Sequence, residues 1–222
     1  MAVRRVPPPT TPDARQDVAI RPLLRRELGA ASSLLAVAMR DNPLHARAFG
    51  MEPLRRQQRV QRFLAPLLAH VSGNGEVLGA WMQGELVGVL GMLSPHRCRP
   101  SRMAAASLLA SIMRANPPAG VWRILHWFVA WRRNDPVAPH AHIGPLGVLP
   151  AWRRQGIARA LMLQCTRRLD ALGTVAWLET DLATNVAFYE TLGFVVACRE
   201  PVLGVANWFM RREPSTPTVA SP

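Results

Sequence analysis

From Ile143 onward the chain alternates between strand-like and helix-like segments, and few folds accommodate that order. Strands are predicted at residues 143–149, 174–179 and 194–199, with helices at residues 155–172 and 185–192 between them. A strand that is followed by a helix and then by a neighbouring strand runs parallel to that neighbour, because the helix returns the chain to the starting edge. The alternation therefore predicts an α/β (α+β) fold whose central sheet is mixed and partly parallel.

The rest of the chain adds further elements to this sheet. Strands are predicted at residues 18–23, 76–82, 85–93 and 206–211, and helices at residues 28–40, 54–70, 101–113 and 121–131. Gln83-Gly84 marks a hairpin turn, and Asn42-Pro43 is expected to end the helix before it. Pro66 is expected to kink or split the helix that contains it. The total predicts a sheet of about six or seven strands flanked by helices.

The length of 222 residues fits a single domain with an enclosed core. Residues 1–16 and 214–222 are rich in Pro, Ser and Thr, so both tails are predicted to be disordered. The single domain is therefore expected to span residues 17–213. Three cysteines, widely spaced and without a CxxC pair, indicate neither a disulfide framework nor a zinc site. They favour a reducing, cytoplasmic compartment.

The formal net charge of +13 is large, and all 27 basic residues are arginines. Such a field attracts any polyanion, including nucleic acid, an anionic membrane and the phosphates of a coenzyme. The arginines are dispersed in pairs along the chain, which is typical of solvated faces, although a bias in codon usage would give the same composition. No specific nucleic-acid partner is predicted, because aromatic residues do not alternate with the basic pairs. No apolar run approaches a membrane-spanning length, and a helix at residues 121–133 lying on a membrane is the weaker alternative.

The segment from Gly147 to Ala158 is expected to run from a strand through a turn into a helix. Gly156 permits close approach of a ligand to the backbone, and the first N–H groups of a helix attract phosphate. Arg153, Arg154 and Arg159 would add charged donors. Taken alone, the loop also fits an ordinary turn with surface arginines. Neither GxxxxGK[ST] nor a GxGxxG after a strand is present.

Two blocks of sequence together resemble the GNAT superfamily of acetyl-coenzyme A-dependent N-acyltransferases. The first is Gly-Val-x-Pro followed by Arg-x-x-Gly-x-Ala, here at residues 147–158. The second is Asn-x-x-Phe-Tyr-Glu-x-x-Gly-Phe, here at residues 185–194. Leu178-Glu179-Thr180 and a final strand like residues 208–212 are similar to the branch that includes puromycin N-acetyltransferase. The resemblance covers about the last third of the chain and is not specific for a substrate.

The resemblance implies that acetyl-CoA is the cofactor and that the strand before the loop splays from its neighbour. Pantetheine would lie in the gap and pair with the backbone of Leu146, Gly147 and Val148, and the Val148 N–H would face the carbonyl oxygen. The pyrophosphate would be held by the loop and the helix start, that is by Arg153, Arg154, Gln155, Gly156, Ile157, Ala158 and Arg159.

The resemblance further implies that Asn185 contacts the cofactor and that Tyr189, one helical turn later, donates a proton to the thiolate. A packing role for Tyr189, the only tyrosine, is the alternative. Glu179 is the first candidate for a general base. His140 and His142 are alternatives, and the reaction of such enzymes also proceeds without a single base. Asp181 is a candidate for attracting a cationic substrate.

The acceptor is expected to be a primary amine of a small molecule, such as an antibiotic or another xenobiotic. A helical insertion at residues 94–140 would shape its side of the site, with Trp122, Trp127 and Trp131 either in the core or in the pocket wall. Acetylation of a protein or peptide and non-catalytic binding of acyl-CoA are the alternatives, and Asn185 and Tyr189 argue against the latter. A monomer or a homodimer is expected, and no metal is predicted.

Overall fold

The computed structural model describes residues 18–98 and 100–215 and contains one mixed sheet. Its strands are β1 (Ala19–Pro22), β2 (Gly75–Met82), β3 (Glu85–Leu93), β4 (Ala141–Val148), β5 (Ala176–Thr180), β6 (Val195–Val202) and β7 (Val205–Arg212). They lie in the order β1-β2-β3-β4-β5-β7-β6. β4 and β5 are parallel, whereas the other neighbouring pairs are antiparallel. The predicted mixed, partly parallel sheet is confirmed.

Helices cover both faces of the sheet. They are α1 (Leu28–Met39), α2 (Pro43–Phe49), α3 (Pro53–Asn74), α4 (Arg102–Ala115), α5 (Pro118–Asn134), α6 (Ile157–Ala171) and α7 (Ala183–Glu190). One apolar cluster joins α1, α2, α3 and α5 to the sheet, and a second joins α6 and α7 to the sheet. β4 contributes to the second cluster, and its Gly147 also allows α1 to approach. A Cβ at Gly147 would lie 2.7 Å from Leu35 Cδ2.

Helix α2 was not predicted, because Asn42-Pro43 was interpreted only as the end of α1. Proline also suits the first turn of a helix, where its missing N–H costs nothing, and Pro43 begins α2. Leu44, Ala48 and Phe49 are fully or almost fully buried. Burial of these three side chains gives α2 its tertiary stabilisation.

Of the two effects predicted for Pro66, the split is wrong, because α3 runs without interruption from Pro53 to Asn74, and the kink stays a prediction. A proline at position 66 removes the N–H that would bond to the Arg62 carbonyl. In the structure Ser111 Oγ of α4 donates to that oxygen at 2.9 Å. A hydroxyl from a neighbouring helix thus replaces the lost bond.

The contacts of the last described residues can be compared with the predicted limits of the domain, residues 17–213. Ser215 N donates to Asp170 Oδ1 of α6 at 2.8 Å, so the ordered contacts extend two residues beyond the expected limit at residue 213. The predicted disorder of residues 1–16 and 216–222 falls outside the described residues. The segment expected to be a helical insertion contains α4 and α5. Among the residues described, no helix is long and apolar enough to span a membrane.

Candidate active site

β4 and β5 separate after two paired residues. Their register consists of Ala141 opposite Ala176 and His142 opposite Trp177, after which no pairing joins them in the described chain. β4 nevertheless continues to Val148 and stays paired with β3 along its other edge. One edge of the main chain at Leu146, Gly147 and Val148 is therefore free to pair with an extended ligand. The predicted splay has the geometry that a pantetheine chain requires.

The phosphate loop, residues 153–158, ends at the start of α6. Gly156 adopts φ +80° and precedes the helix. The first helical bond runs from Ala160 N to Gly156 O at 2.9 Å. The N–H groups of Ile157, Ala158 and Arg159 therefore have no main-chain partner among the described residues. These N–H groups lie at the positive end of the helix dipole, and this arrangement fits a pyrophosphate.

The arginines of this region differ in what they contact. Arg153 donates through Nη2 to Ala38 O at 2.7 Å and through Nε to Val148 O at 3.3 Å. Arg154 is exposed and adopts φ +62°. Arg159 Nη1 donates to Thr191 Oγ1 at 3.1 Å, and Gln155 Nε2 donates weakly to Ala151 O. Arg153 thus braces the loop, while Arg154 presents its charge to the solvent.

Asn185 and Tyr189 lie one turn apart on α7, beside the splay. Tyr189 is 7% exposed, and burial together with the nearby charges of Asp181 and Glu179 raises the pKa of its hydroxyl. Asn185 Nδ2 donates to Thr180 Oγ1 at 3.2 Å. Thr180 also accepts from Leu182 N, so it fixes both the start of α7 and the Asn185 amide. The role of Thr180 was not predicted, although it directly follows Leu178-Glu179.

A cavity of about 970 Å³ opens from the splay and extends beneath the helices on one face of the sheet. Asn185, Tyr189 and Leu146 line its end near the splay. Its remaining wall is mostly apolar and comes from α3, α4 and α5, including Phe63, Leu67, Leu108, Ile112, Trp127, Phe128 and Trp131. A volume of this size is typical of a small-molecule site.

The three tryptophans that the sequence grouped together do not form one cluster. Trp127 is buried and packs edge-on against Trp131, with 5.1 Å between ring centroids. Both rings also line the cavity. Trp122 is 70% exposed on the outer surface. The core and pocket-wall interpretations therefore both hold for Trp127 and Trp131, and neither holds for Trp122.

Glu179 begins a row of polar side chains in contact with one another, which leads away from the splay through His142 and Asp135 to His140. Its side chain is 2% exposed, and its Oε2 lies 3.0 Å from His142 Nε2. Its Oε1 accepts from Trp177 Nε1 at 2.9 Å. His142 Nδ1 lies 3.7 Å from Asp135 Oδ1, which lies 3.1 Å from His140 Nε2. Glu179 and His142 both line the cavity.

The charges of this row of side chains shift the pKa values of both histidines upward. Burial alone would lower the pKa of His142, but the Glu179 charge and the bond to Asp135 outweigh it and hold the pKa well above 6.5. Burial is also the largest single influence at His140 and lowers its pKa, but the hydrogen bonds to Asp135, Cys98 and Ala138 together outweigh it and raise the pKa to about 10. Both rings are therefore engaged as partners of carboxylates, which disfavours either as a general base.

Asp181 connects the site to α2. Its Oδ2 accepts from Leu44 N at 2.7 Å, and its Oδ1 lies 3.5 Å from Asn42 Nδ2. Burial raises its pKa despite the Leu44 bond. The carboxylate satisfies an N–H in the first turn of α2 and also faces the cavity. Its predicted role toward a cationic substrate stays a prediction.

Comparison with known proteins agrees with this geometry. A profile described as "Acetyltransferase (GNAT) family" matches residues 42–194. The fold is similar to that of a Corynebacterium glutamicum protein described as histone acetyltransferase HPA2 and related acetyltransferase. The two proteins are 19% identical in sequence with a TM-score of 0.69, and the match covers 91% of this chain and 99% of that chain.

Two further solved structures share the fold. Arylalkylamine N-acetyltransferase 2 from Aedes aegypti is 15% identical with a TM-score of 0.62, covering 90% of this chain and 100% of that one. The PaiA N-acetyltransferase from Thermoplasma acidophilum, in complex with coenzyme A, is 14% identical with a TM-score of 0.55, covering 89% and 99%.

The splayed strands, the phosphate loop and the extent of the profile match define an acyltransferase of the acetyl-CoA-dependent class. The chain belongs to the acetyltransferase (GNAT) family. It is an N-acetyltransferase, and acetyl-CoA is its acyl donor.

Proposed function

We propose that this protein transfers an acetyl group directly from acetyl-CoA to the primary amine of a small, apolar or aromatic molecule. The observation that carries the proposal is the cavity of about 970 Å³, which begins at the splay and is walled largely by apolar and aromatic side chains. A flat or apolar amine can bury its body there, with its nitrogen at the splay. A deep, mostly apolar cavity under helices suits a small molecule better than an extended peptide.

The donor side is assigned to main-chain and charged groups. When bound, acetyl-CoA supplies an acetyl group activated as a thioester. The free N–H groups at the start of α6, together with Arg154 and Arg159, hold the pyrophosphate, while Arg153 and Gln155 keep the loop in shape. The free edge of β4 from Leu146 to Val148 orients the pantetheine, and the Val148 N–H faces the carbonyl oxygen.

The proton transfers are assigned to Tyr189 and Glu179. Tyr189 Oη holds the proton that the departing sulfur takes, and its raised pKa keeps it protonated at neutral pH. Asn185, fixed by Thr180, contacts the cofactor beside it. Glu179 faces the cavity and is proposed to receive the proton that the amine loses. Their presence argues for catalysis rather than for passive binding of acyl-CoA.

The acceptor class draws on two kinds of support. The Leu178-Glu179-Thr180 block resembles the branch that includes puromycin N-acetyltransferase, an enzyme that acetylates an aromatic antibiotic. One structural relative is named for arylalkylamines, whereas another is named for a polyamine and does not support an apolar acceptor. The net charge of +13 disfavours a polycation or a basic peptide as substrate, because like charges repel.

The proposal is tested by a thiol-release assay with acetyl-CoA and a panel of amines. The panel comprises arylalkylamines, puromycin, polyamines, aminoglycosides and peptides with free N-termini. We expect turnover with the arylalkylamines or puromycin and none with free polyamines. Acetylation of peptides alone would contradict the proposed acceptor. Initial rates that intersect when both substrates are varied would support direct transfer, and parallel lines would contradict it.

The proposed activity belongs to a reducing compartment, the cytoplasm. Cys98, Cys165 and Cys198 are all unpaired, which supports this location. The proposal is made for a monomer or a homodimer.

A further inference from the structure

The geometry points to a zinc-binding site in the wall of the acceptor cavity, formed by Cys98, His140 and His142 with Asp135 beside the two histidines. A thiol, two imidazoles and a carboxylate together are a ligand set that Zn²⁺ prefers. The ligand atoms of the cysteine and the two histidines all lie within 4.8 Å of one another. Asp135 contacts both histidines.

Three measured separations among these residues are close to those of a tetrahedral set. Cys98 Sγ lies 3.7 Å from His140 Nε2, and Asp135 Oδ1 lies 3.1 Å from that nitrogen and 3.7 Å from His142 Nδ1. Bond lengths of about 2.0–2.1 Å for Zn–N and about 2.3 Å for Zn–S place tetrahedral neighbours roughly 3.3–3.7 Å apart. Three of the six separations among these four atoms are thus close to the tetrahedral values, and a bound ion would draw the thiol and the two imidazoles closer than their present limit of 4.8 Å.

The outer partners of the two histidines add a second, independent observation. The Nδ1 atom of His140 lies 2.9 Å from Ala138 O, and the Nε2 atom of His142 lies 3.0 Å from Glu179 Oε2. Metal-bound histidines usually donate their remaining N–H to a main-chain carbonyl or a carboxylate, which fixes the tautomer. With both outer nitrogens protonated, His140 Nε2 and His142 Nδ1 present lone pairs toward Cys98 and Asp135. Trp177 in turn holds Glu179.

The ligands come from three segments that the fold brings together. Cys98 lies in the loop after β3, Asp135 follows the last turn of α5, and the histidines lie at the start of β4. A zinc ion would fasten that loop and α5 to the sheet beside the acceptor cavity. Cys98, Asp135 and His142 line the cavity, so ions and chelators can reach the site from solvent.

The thiol distinguishes zinc from the hard cations, since Mg²⁺ and Ca²⁺ take oxygen ligands. Without an ion, the same residues form a hydrogen-bonded cluster of charged groups. The two states differ in metal content, so they can be separated by experiment. The inference does not depend on the proposed acceptor, because metal binding is measured without any acetyl transfer.

The test uses the full chain, produced without a metal-affinity tag. It is incubated with zinc, dialysed extensively and analysed by elemental mass spectrometry. We expect about one zinc per chain and a higher melting temperature than in the chelator-treated protein. Cobalt in place of zinc should give visible bands of tetrahedral Co²⁺ and a near-ultraviolet thiolate-to-cobalt band.

Cys98→Ser and His140→Gln should lose the bound metal, and Cys98→Ser should lose the thiolate band. Cys198→Ser is the matched control, because Cys198 is also unpaired but contacts Asn134 instead of the cluster, and it should retain both. Wild-type protein that keeps no zinc after dialysis, or that shows no thiolate band with cobalt, overturns the inference. Binding of coenzyme A in the same preparation shows that the rest of the site is folded.

Discussion

Arg153 Nη2 donates to the carbonyl oxygen of Ala38 at 2.7 Å, which fastens the phosphate loop to the C-terminal end of α1. The guanidinium also reaches Val148 O through Nε, at 3.3 Å. A cation at a helix C-terminus is favoured by the dipole and satisfies a carbonyl that has no helical partner. The shape of the loop therefore depends on α1, although the two are far apart in sequence.

Replacing Arg153 should affect both folding and cofactor binding. Arg153→Ala is expected to lower the free energy of unfolding by about 1–2 kcal/mol, because two carbonyls lose a charged donor. It should also weaken coenzyme A binding, since the loop loses its brace. The matched variant Arg154→Ala should weaken coenzyme A binding but change stability by less than about 0.5 kcal/mol, because both side chains are exposed and only Arg153 bonds to Ala38 O and Val148 O. Urea unfolding and calorimetry measure the two effects, and equal stability of both variants would refute the bracing role.

Removing the Tyr189 hydroxyl should slow the reaction without loosening the cofactor. Tyr189→Phe is expected to lower kcat by about 100-fold, as for other positioned proton donors. The ring retains its packing against Phe188 and Phe194, with centroids 5.2 and 5.9 Å away, so the dissociation constant for coenzyme A should stay within a factor of about two. Steady-state kinetics and calorimetry test this pair of results. A variant with full kcat would leave Tyr189 as a packing residue.

The aromatic wall of the cavity should control the affinity for the acceptor. Trp131→Ala removes a ring that lines the cavity and is expected to raise KM for an arylalkylamine about tenfold, a cost of roughly 1.4 kcal/mol. Trp122→Ala, at an exposed position, is the control and should leave KM unchanged. Equal KM values for the two variants would show that the acceptor does not bind against α5.

Local patterns predicted most of this structure because they report local forces. The Gln83-Gly84 hairpin was predicted from turn chemistry, and both residues adopt positive φ, at 52° and 82°. The phosphate loop and the Asn185–Tyr189 pair are contiguous in sequence, so a motif captures each of them. The alternation of strands and helices after Ile143 likewise predicted the parallel pair of strands, because it is read from contiguous residues.

The features that were missed depend on contacts between distant segments. The continuity of α3 through Pro66 depends on Ser111, which reaches the freed carbonyl from another helix. Helix α2 depends on Asp181, which accepts from Leu44 N across more than a hundred residues. The grouping of Cys98 with the histidines appears only when β3, α5 and β4 are assembled. No spacing rule applied to one segment detects such contacts.

His45 should make the protein sensitive to mild acid. It is 5% exposed and packs against Phe49 and Trp127. Burial, and secondarily the Arg56 charge, lower its pKa from 6.5 to about 4. The folded state therefore favours the neutral ring, so the associated stability is present above pH 6.5 and is lost as the pH falls toward 4.

The shift in the pKa of His45 corresponds to about 3 kcal/mol between these limits. The raised pKa values of His140 and His142 act in the opposite direction near pH 6.5, because the unfolded rings become protonated there while the folded rings already are. This contribution is common to the wild type and the His45→Phe variant. His45→Phe keeps an aromatic ring in the site but removes the titrating group. Urea unfolding from pH 7 to pH 4.5 should show a much smaller loss of stability in His45→Phe than in wild type, and parallel losses would contradict the assignment.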